Sequence, residues 1–482
     1  MQVAIDGKDP APILVWLRQD LRLTDNSALI AAAQAGRPVI PLYILDQTPG
    51  VRPMGAASLW WLDRSLAALT GSLAAIGSRL VLRKGAAETI LAELIAETGA
   101  TGVLWNRLYD PAAIDRDTAI KARLKDDGVA CESFNAGLLN EPWTVRNGSG
   151  LPYKVFTPYW RAARDQLGPV HVEPAPKTLT PPADWPKSDG LADWTLRPTK
   201  PDWSKGFGLW TPGEAGALER LDDFLSGPVD GYGRQRDFPG VEATSRLSPH
   251  LHFGEIGPRQ VWVAARNAAE AGDAPAGEVE KFLSEVAWRE FNASILFNNP
   301  TLPTANFRPE FDGFPWAKDP AAFEAWSEGR TGYPIIDAGM RELWATGFMH
   351  NRVRMIVASF LIKHLLIDWR EGEAWFWDTL IDADLASNVG NWQWTAGSGA
   401  DAAPYFRIFN PIAQGVKFDP AGAYVRRWVP ELANLPDALI HEPWKAASQL
   451  SATAARTYAE PVVGHAAARE RALAAYRGLK GE

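Results

Sequence analysis

The first ~140 residues alternate short apolar runs with helical patterns, and this alternation constrains the fold more than any other feature of the chain. The runs PILVWLR (12–18), PVIPLYIL (38–45), RLVLRKG (79–85), TGVLWN (101–106) and VACESF (129–134) read as buried strands. Between them, SLWWLDRSLAALTGSLAAIG (58–77) and ETILAELIAETG (88–99) space apolar residues as helices do, and each closes on Gly. Strands joined by crossover helices pair in parallel and are covered on both faces. Residues 1–140 are therefore expected to form an α/β domain with a parallel five-stranded, Rossmann-like sheet. No G-x-G-x-x-G and no Walker A motif accompanies it, so a nicotinamide or nucleoside-triphosphate site has no support there.

Residues 141–215 lose this periodicity and are rich in Pro, Gly and Trp, with PAPKTLTPPADWPKSDG (174–190) at their centre. They read as a long surface linker. From 216 to 482 the pattern is helical throughout, as in EVEKFLSEVAWREFNASILF (278–297) and HNRVRMIVASFLIKHLLIDW (350–369). A larger all-α domain is expected there.

Bulk properties remove several function classes. A single cysteine, Cys131, excludes an internal disulfide framework and a thiolate cluster, and the seven His show no ligand-type spacing. No metal is expected. No window approaches ~18 uninterrupted apolar residues, and the first residues lack a signal core, so the chain reads as cytoplasmic and not membrane-bound. The 22 Trp point instead to a flat aromatic ligand, because indoles stack on π systems.

Four stretches carry chemistry. In TSRLSPHLHFGEI (244–256), Ser248 followed by Pro249 reads as an N-cap and N1 pair, with the Thr244 and Ser245 hydroxyls ahead of it suited to a phosphate. In FLSEVAWREF (282–291), Glu285 and Trp288 share a helical face, joining a carboxyl to an indole. GFMHNRVRM (347–355) opens a helix with Asn351, Arg354 and Met355 on one side and Arg352 turned away. Asp382 and Asp384 in DADLASN (382–388) are acceptors for an Arg such as Arg354, and Asn388 leads into NVGNWQWTAGSGADAAPYFRIFNP (388–411).

The net charge of −8 argues against nucleic acid only as an average. Locally, Arg341, Arg352, Arg354, Lys363 and Arg370 face only Glu342 and Asp368, while Arg407, Lys417, Arg426 and Arg427 face only Asp401 and Asp419. Convergence of these excesses at a pocket mouth suits phosphate contact.

In order along the chain, VWLRQDLRLTDN (15–26), YKVFTPYW (153–160), GYGRQRDFP (231–239), TSRLSPHLHFGEI, WREF, EGRTGYPIIDAGMREL (328–343), MHNRVRM, LIDWREGE (366–373), the Trp392–Trp394 run and HEPWKA (441–446) resemble the photolyase and cryptochrome family. Within it they are most similar to microbial enzymes acting on cyclobutane pyrimidine dimers. The resemblance implies FAD in the helical domain, held by Tyr232, Thr244, Ser245, Arg246, Leu247, Ser248, Arg354, Asp382, Asp384 and Asn388. It implies double-stranded or single-stranded DNA carrying a dimer as substrate, and a monomeric protein. Glu285, Asn351 and Met355 match dimer-contacting positions, with Trp288 and Trp394 as apolar walls. Arg236 and Arg352 match DNA-phosphate contacts, and Trp392, Trp369 and Trp316 an electron-transfer chain to the surface. Asn106 and Asp110 in WNRLYDP (105–111) match positions that seat a folate antenna, 5,10-methenyltetrahydrofolate. Glu285 is implied to be a buried acid, protonated part of the time.

Asn391 and Phe282 depart from the family pattern, standing where Gly and Trp are common. The competing reading is a cryptochrome, which shares fold and flavin but signals without repair. A light-independent flavin oxidoreductase is a third class, without a dinucleotide fingerprint to support it.

Overall fold

The computed structural model describes residues 10–402 and 406–480; residues 403–405, within the run 388–411, lie outside the described part. Five strands form the N-terminal sheet: β1 (Ile13–Leu17), β2 (Val39–Asp46), β3 (Val81–Gly85), β4 (Gly102–Asn106) and β5 (Ala130–Phe134). All pairings are parallel, in the order β3-β2-β1-β4-β5. Every residue of β1 and β4 is buried, which is why these strands read as continuous apolar runs. The flanking helices fall where the periodicity places them; the one at Ala87–Thr98 ends on Gly99 in the left-handed conformation, φ 67°.

Strand order reverses between β1 and β4, the crevice where open α/β sheets usually take a ligand. Here it is filled from within. Asn106, at the end of β4, donates to Asp20 (2.6 Å) and Asn26 (2.8 Å) and accepts from the Ala28 amide (3.1 Å). Arg18 crosses to Asp117 at 2.7 Å.

The segment 141–215 contains more structure than its composition suggests. Phe156–Gln166 is a helix whose buried face, Phe156, Tyr159 and Ala163, joins the core of the helical region. Further along, Leu179, Trp194, Leu196, Phe207 and Trp210 pack onto the α/β core. The segment thus straps the two cores together.

The stretch 350–369 is two elements, not one. A helix runs Asn351–Lys363, the chain turns through Leu366 at φ 57°, and Asp368 caps a new helix, Trp369–Thr379, by accepting from the Arg370 amide. That break lets Trp369–Thr379 and Leu385–Ala396 pack across the first helix. Gly372 permits the contact: a Cβ there would fall 2.2 Å from the ring of Trp392.

Candidate active site

Helices Ala276–Asn298, Asn351–Lys363 and Leu385–Ala396, with the turn at 244–248, surround a cavity of about 550 Å³. That volume suits a cofactor-sized ligand. All ten residues matched to FAD line it: Tyr232, Thr244, Ser245, Arg246, Leu247, Ser248, Arg354, Asp382, Asp384 and Asn388. So do Glu285, Trp288, Asn351, Met355, Trp392 and Trp394, together with Arg236 and Arg352.

The floor is a charged knot. Asp382 accepts from Arg354 Nη2 at 2.8 Å and from Ser248 Oγ at 2.6 Å, and Arg354 Nε is spent on the Met349 carbonyl. Ser248 is therefore not the cap of its helix. It is the first helical residue, Leu247 precedes it with no capping side chain, and the hydroxyl turns to Asp382 because a carboxylate is the stronger acceptor. Asp382 Oδ1 is buried without a partner, as is Trp392 Nε1. Two orphaned polar atoms in a cavity wall fit a ligand that bears both donors and acceptors, as FAD does. Tyr232 stays a neutral donor, since burial pushes its hydroxyl up to about 12. Asp384 caps the helix Leu385–Ala396 through the Ser387 amide, at 2.7 Å. Burial alone would raise its carboxyl, but His252 and Arg289 hold it well below the usual range.

The helical run 385–396 sends its two indoles apart, as the ~100° step between residues requires. Trp392 is buried against Phe376 (5.0 Å) and Trp326 (6.3 Å). Trp394 is half-buried, and its Nε1 donates to the Asp401 carbonyl at 3.0 Å. Asn388 turns both amide hydrogens toward Glu373, donating to its carboxylate at 2.8 Å and to its carbonyl at 3.0 Å.

At the mouth, Trp288 stacks on Phe156 with centroids 3.9 Å apart and planes 9° from parallel. Glu285 is not a sheltered acid. It is ion-paired with Lys281 at 2.6 Å and Arg236 at 2.7 Å. This also occupies Arg236, matched to a DNA phosphate. Lys281 was not singled out in the sequence, although its i,i+4 spacing to Glu285 was a signal. Arg352 does not turn away: it reaches Asp237 at 2.8 Å and lies over Phe418 at 4.4 Å, with Lys417 on the same ring at 5.0 Å. Phe282 does not line the cavity; it packs behind the wall, against Phe224 and the lining residue Tyr232.

Several singled-out residues lie elsewhere. Trp369 is buried, its Nε1 on Asn306 at 3.0 Å, and Trp316 is half-buried against Phe314. Among the described residues no ring contact links either to Trp392. The basic excess does not converge: Arg341 pairs with Glu431, Lys363 is buried on a backbone carbonyl and Arg370 closes on Asp368. Asn106 and Asp110 face a separate cleft of about 60 Å³ between the two cores, room for a few waters. Asn106 has no amide left to offer a pterin, and burial, then the charge of Asp384, pushes the Asp110 carboxyl up to about 7. These two residues do not fit a folate seat. Among the described residues, no group of side chains is placed to hold a metal ion, and no helix is long and apolar enough to cross a membrane.

Comparison with known proteins identifies the family. A family model described as the FAD binding domain of DNA photolyase matches residues 282–478, and a DNA photolyase model matches 13–182. A deoxyribodipyrimidine photo-lyase of Agrobacterium fabrum is 54% identical over 98% of both chains. Cryptochrome-2 of Arabidopsis thaliana is 40% identical over 95% of this chain and 77% of its own. Among solved structures, a bacterial class III photolyase from Agrobacterium tumefaciens superposes with a TM-score of 0.94 at 54% identity, covering 98% of each chain. An archaeal photolyase from Sulfolobus tokodaii, solved with two FAD molecules, gives 0.81 at 32% identity over 97% of this chain and 100% of that one.

Proposed function

The chain belongs to the photolyase and cryptochrome family, and on that premise we propose that it repairs cyclobutane pyrimidine dimers in DNA under blue light, as a deoxyribodipyrimidine photo-lyase. The observation that carries the repair reading is convergence: Glu285, Trp288, Asn351, Met355 and Trp394 line the same cavity as the Arg354–Asp382–Ser248 knot. Bound FAD would supply a photoexcited one-electron donor that recovers its electron once the two cyclobutane C–C bonds have broken.

The chain's own residues do the rest. Arg354, Asp382 and Asp384 orient the ring system, while Tyr232 and residues 244–248 hold the phosphates and ribityl chain. A dimer leaves the duplex at lower cost than an intact pair, because its stacking is already disturbed. Trp288 and Trp394 exclude water from its faces, and Asn351 and Met355 read its edge. Glu285 with its two cations forms a cluster of net positive charge. That cluster favours negative charge developing on a pyrimidine carbonyl, a role the carboxylate alone would oppose. Trp392, Trp369 and Trp316, matched by the family resemblance, would carry electrons inward when the cofactor is oxidised.

The flipped dimer, not the opposite strand, fills the pocket, so single-stranded DNA is a substrate too and a monomer suffices. Such a substrate goes with the cytoplasmic setting expected from the sequence. The antenna proposed is 5,10-methenyltetrahydrofolate, on the resemblance to folate-bearing members of the family. A strong near-ultraviolet band beyond the flavin's own supports it; a band further into the blue indicates a deazaflavin.

The test incubates reduced protein with a thymine-dimer oligonucleotide under blue light and in darkness. Light-dependent loss of dimers is expected. Its absence would overturn repair and favour a light receptor like the cryptochromes.

A further inference from the structure

The loop that follows β2, residues 47–55, docks along the helix Trp369–Thr379 at the back of the cavity. The approach is close: a Cβ on Gly55 would fall 2.1 Å from the Trp377 carbonyl oxygen. Trp377 Nε1 donates to the Pro53 carbonyl at 2.8 Å, and the Ala56 amide donates to Asp378 at 2.9 Å. The loop has one charged residue, Arg52. Its guanidinium lies 4.1 Å over the Trp377 ring and grips Glu373 with two bonds, Nη1 to Oε1 at 2.7 Å and Nη2 to Oε2 at 3.0 Å.

Glu373 is 5% exposed and passes the grip on to Asn388, whose Nδ2 donates to the same Oε1 and to the Glu373 carbonyl. Of the three residues, only Asn388 lines the cavity. An amide side chain has a donor end and an acceptor end of nearly equal shape, so its neighbours decide which faces outward. A carboxylate and a carbonyl offer only acceptors. They take both N–H groups and leave Oδ1 as the end presented to the cavity.

We propose that Arg52, although carried by the α/β domain, is a positioning residue for the cofactor site. Through Glu373 it fixes the Asn388 amide so that an acceptor faces the bound ring system. This rests on the reading that FAD occupies the cavity. The bidentate pair fixes the carboxylate's plane and balances its buried charge, which a monodentate contact would do less well. Without it, Glu373 loses both guanidinium donors, and Asn388 is free to turn its N–H groups to the cavity. Reduction adds an N–H to a flavin ring, so an acceptor facing that edge stabilises the reduced form. Docking of the two cores thereby contributes to the redox preference of the site.

The experiment uses FAD-loaded protein and measures the reduction potential of the bound flavin together with Tm. Arg52→Met is expected to lower the reduced-to-oxidised ratio at a fixed potential about tenfold, the worth of one well-made hydrogen bond. Arg52→Lys, which restores the charge but not the two-pronged contact, should recover only part of that loss. The double variant Arg52→Met/Glu373→Gln should show no more than the larger single effect, because both act through one chain. Asp378→Ala removes the acceptor of a docking contact of the same loop without touching Glu373, so it should lower Tm and leave the potential in place. A wild-type potential in Arg52→Met, or an equal shift in Asp378→Ala, overturns the proposal. Wild-type protein that binds no FAD would instead overturn the reading of the cavity, and this proposal with it.

Discussion

Replacing Trp288 with Ala should weaken binding of dimer-containing DNA and spare binding of undamaged DNA. One face of the indole is covered by Phe156 at 3.9 Å, and the edge of Phe291 abuts it at 5.6 Å and 86°. Trp288 lines the cavity, which leaves the face opposite Phe156 for a base to stack on. Stacking of a base on an aromatic side chain contributes about 1–3 kcal/mol, or roughly 5- to 150-fold in Kd. Only an extruded dimer would reach that face; an intact duplex would stay outside the cavity, held by salt-dependent phosphate contacts. Phe156 also loses its stacking partner, which costs about 0.5–1.5 kcal/mol of fold stability beyond area. Dark fluorescence-anisotropy titrations with matched oligonucleotides, at one salt concentration, read the two affinities. Trp288→Phe should fall between wild type and Trp288→Ala. Equal weakening on both DNAs, or none on either, would refute the assignment of Trp288 as a lesion wall.

Trp392→Phe should slow photoreduction of the oxidised protein in transient absorption yet leave repair by pre-reduced protein largely intact; equal loss of both would make Trp392 a packing residue only. Arg236→Gln distinguishes its two possible partners: acting through Glu285, it lowers repair at saturating DNA and leaves the salt slope unchanged, whereas a phosphate contact reduces that slope by about 1. Glu290 tests the pH response of the fold, because burial pushes its carboxyl from 4.5 up to about 7 while the Leu139 and Asn140 amides donate to it. The native state then holds a proton that the unfolded chain releases, so this group makes stability fall as pH rises from 4.5 to 7. Comparing Tm near pH 5 and pH 8, Glu290→Gln should gain on wild type at the higher pH by up to about 3 kcal/mol; a gap independent of pH would refute the raised carboxyl.

What the sequence discloses here depends on how far apart the interacting groups lie along the chain. The strands were legible because β1 and β4 are buried on both faces, so neighbouring residues alone determine the pattern. The cavity residues were legible as types, since the motifs that carry them are contiguous. Their partners were not. Ser248 finds Asp382 across 134 positions, and Arg52 finds Glu373 across 321. Local chemistry made Ser248 a cap, and a distant carboxylate overruled it; the family match made Arg236 a phosphate contact, and the sequence around it gave no sign of its pairing with Glu285. Asn106 shows the opposite case. It sits at the strand end where open sheets usually bind ligands, but residues from Asp20 to Ala28 fold back and use up its amide. The helix Phe156–Gln166 had a signal in the spacing of Phe156, Tyr159 and Ala163, masked by the Pro- and Gly-rich sequence around it.

Overall likeness is shared with both a photo-lyase and a cryptochrome, so it leaves repair and signalling to be separated by local geometry. A receptor needs the floor of the cavity, where Arg354, Ser248 and Asp382 meet. It has no use for a mouth shaped to a lesion. Here the mouth is as fully built as the floor: Trp288 backed by Phe156, Trp394 anchored on the Asp401 carbonyl, and Glu285 held by two cations. The helix Leu385–Ala396 brings Asn388, Trp392 and Trp394 to one cavity, with Trp394 ~200° round the helix from Trp392. Moving the tryptophan from 394 to 395 would rotate it by ~100° and take away one wall of the mouth with the floor intact. The register of a single helix would thus couple the proposed electron path at Trp392 to the proposed lesion wall at Trp394.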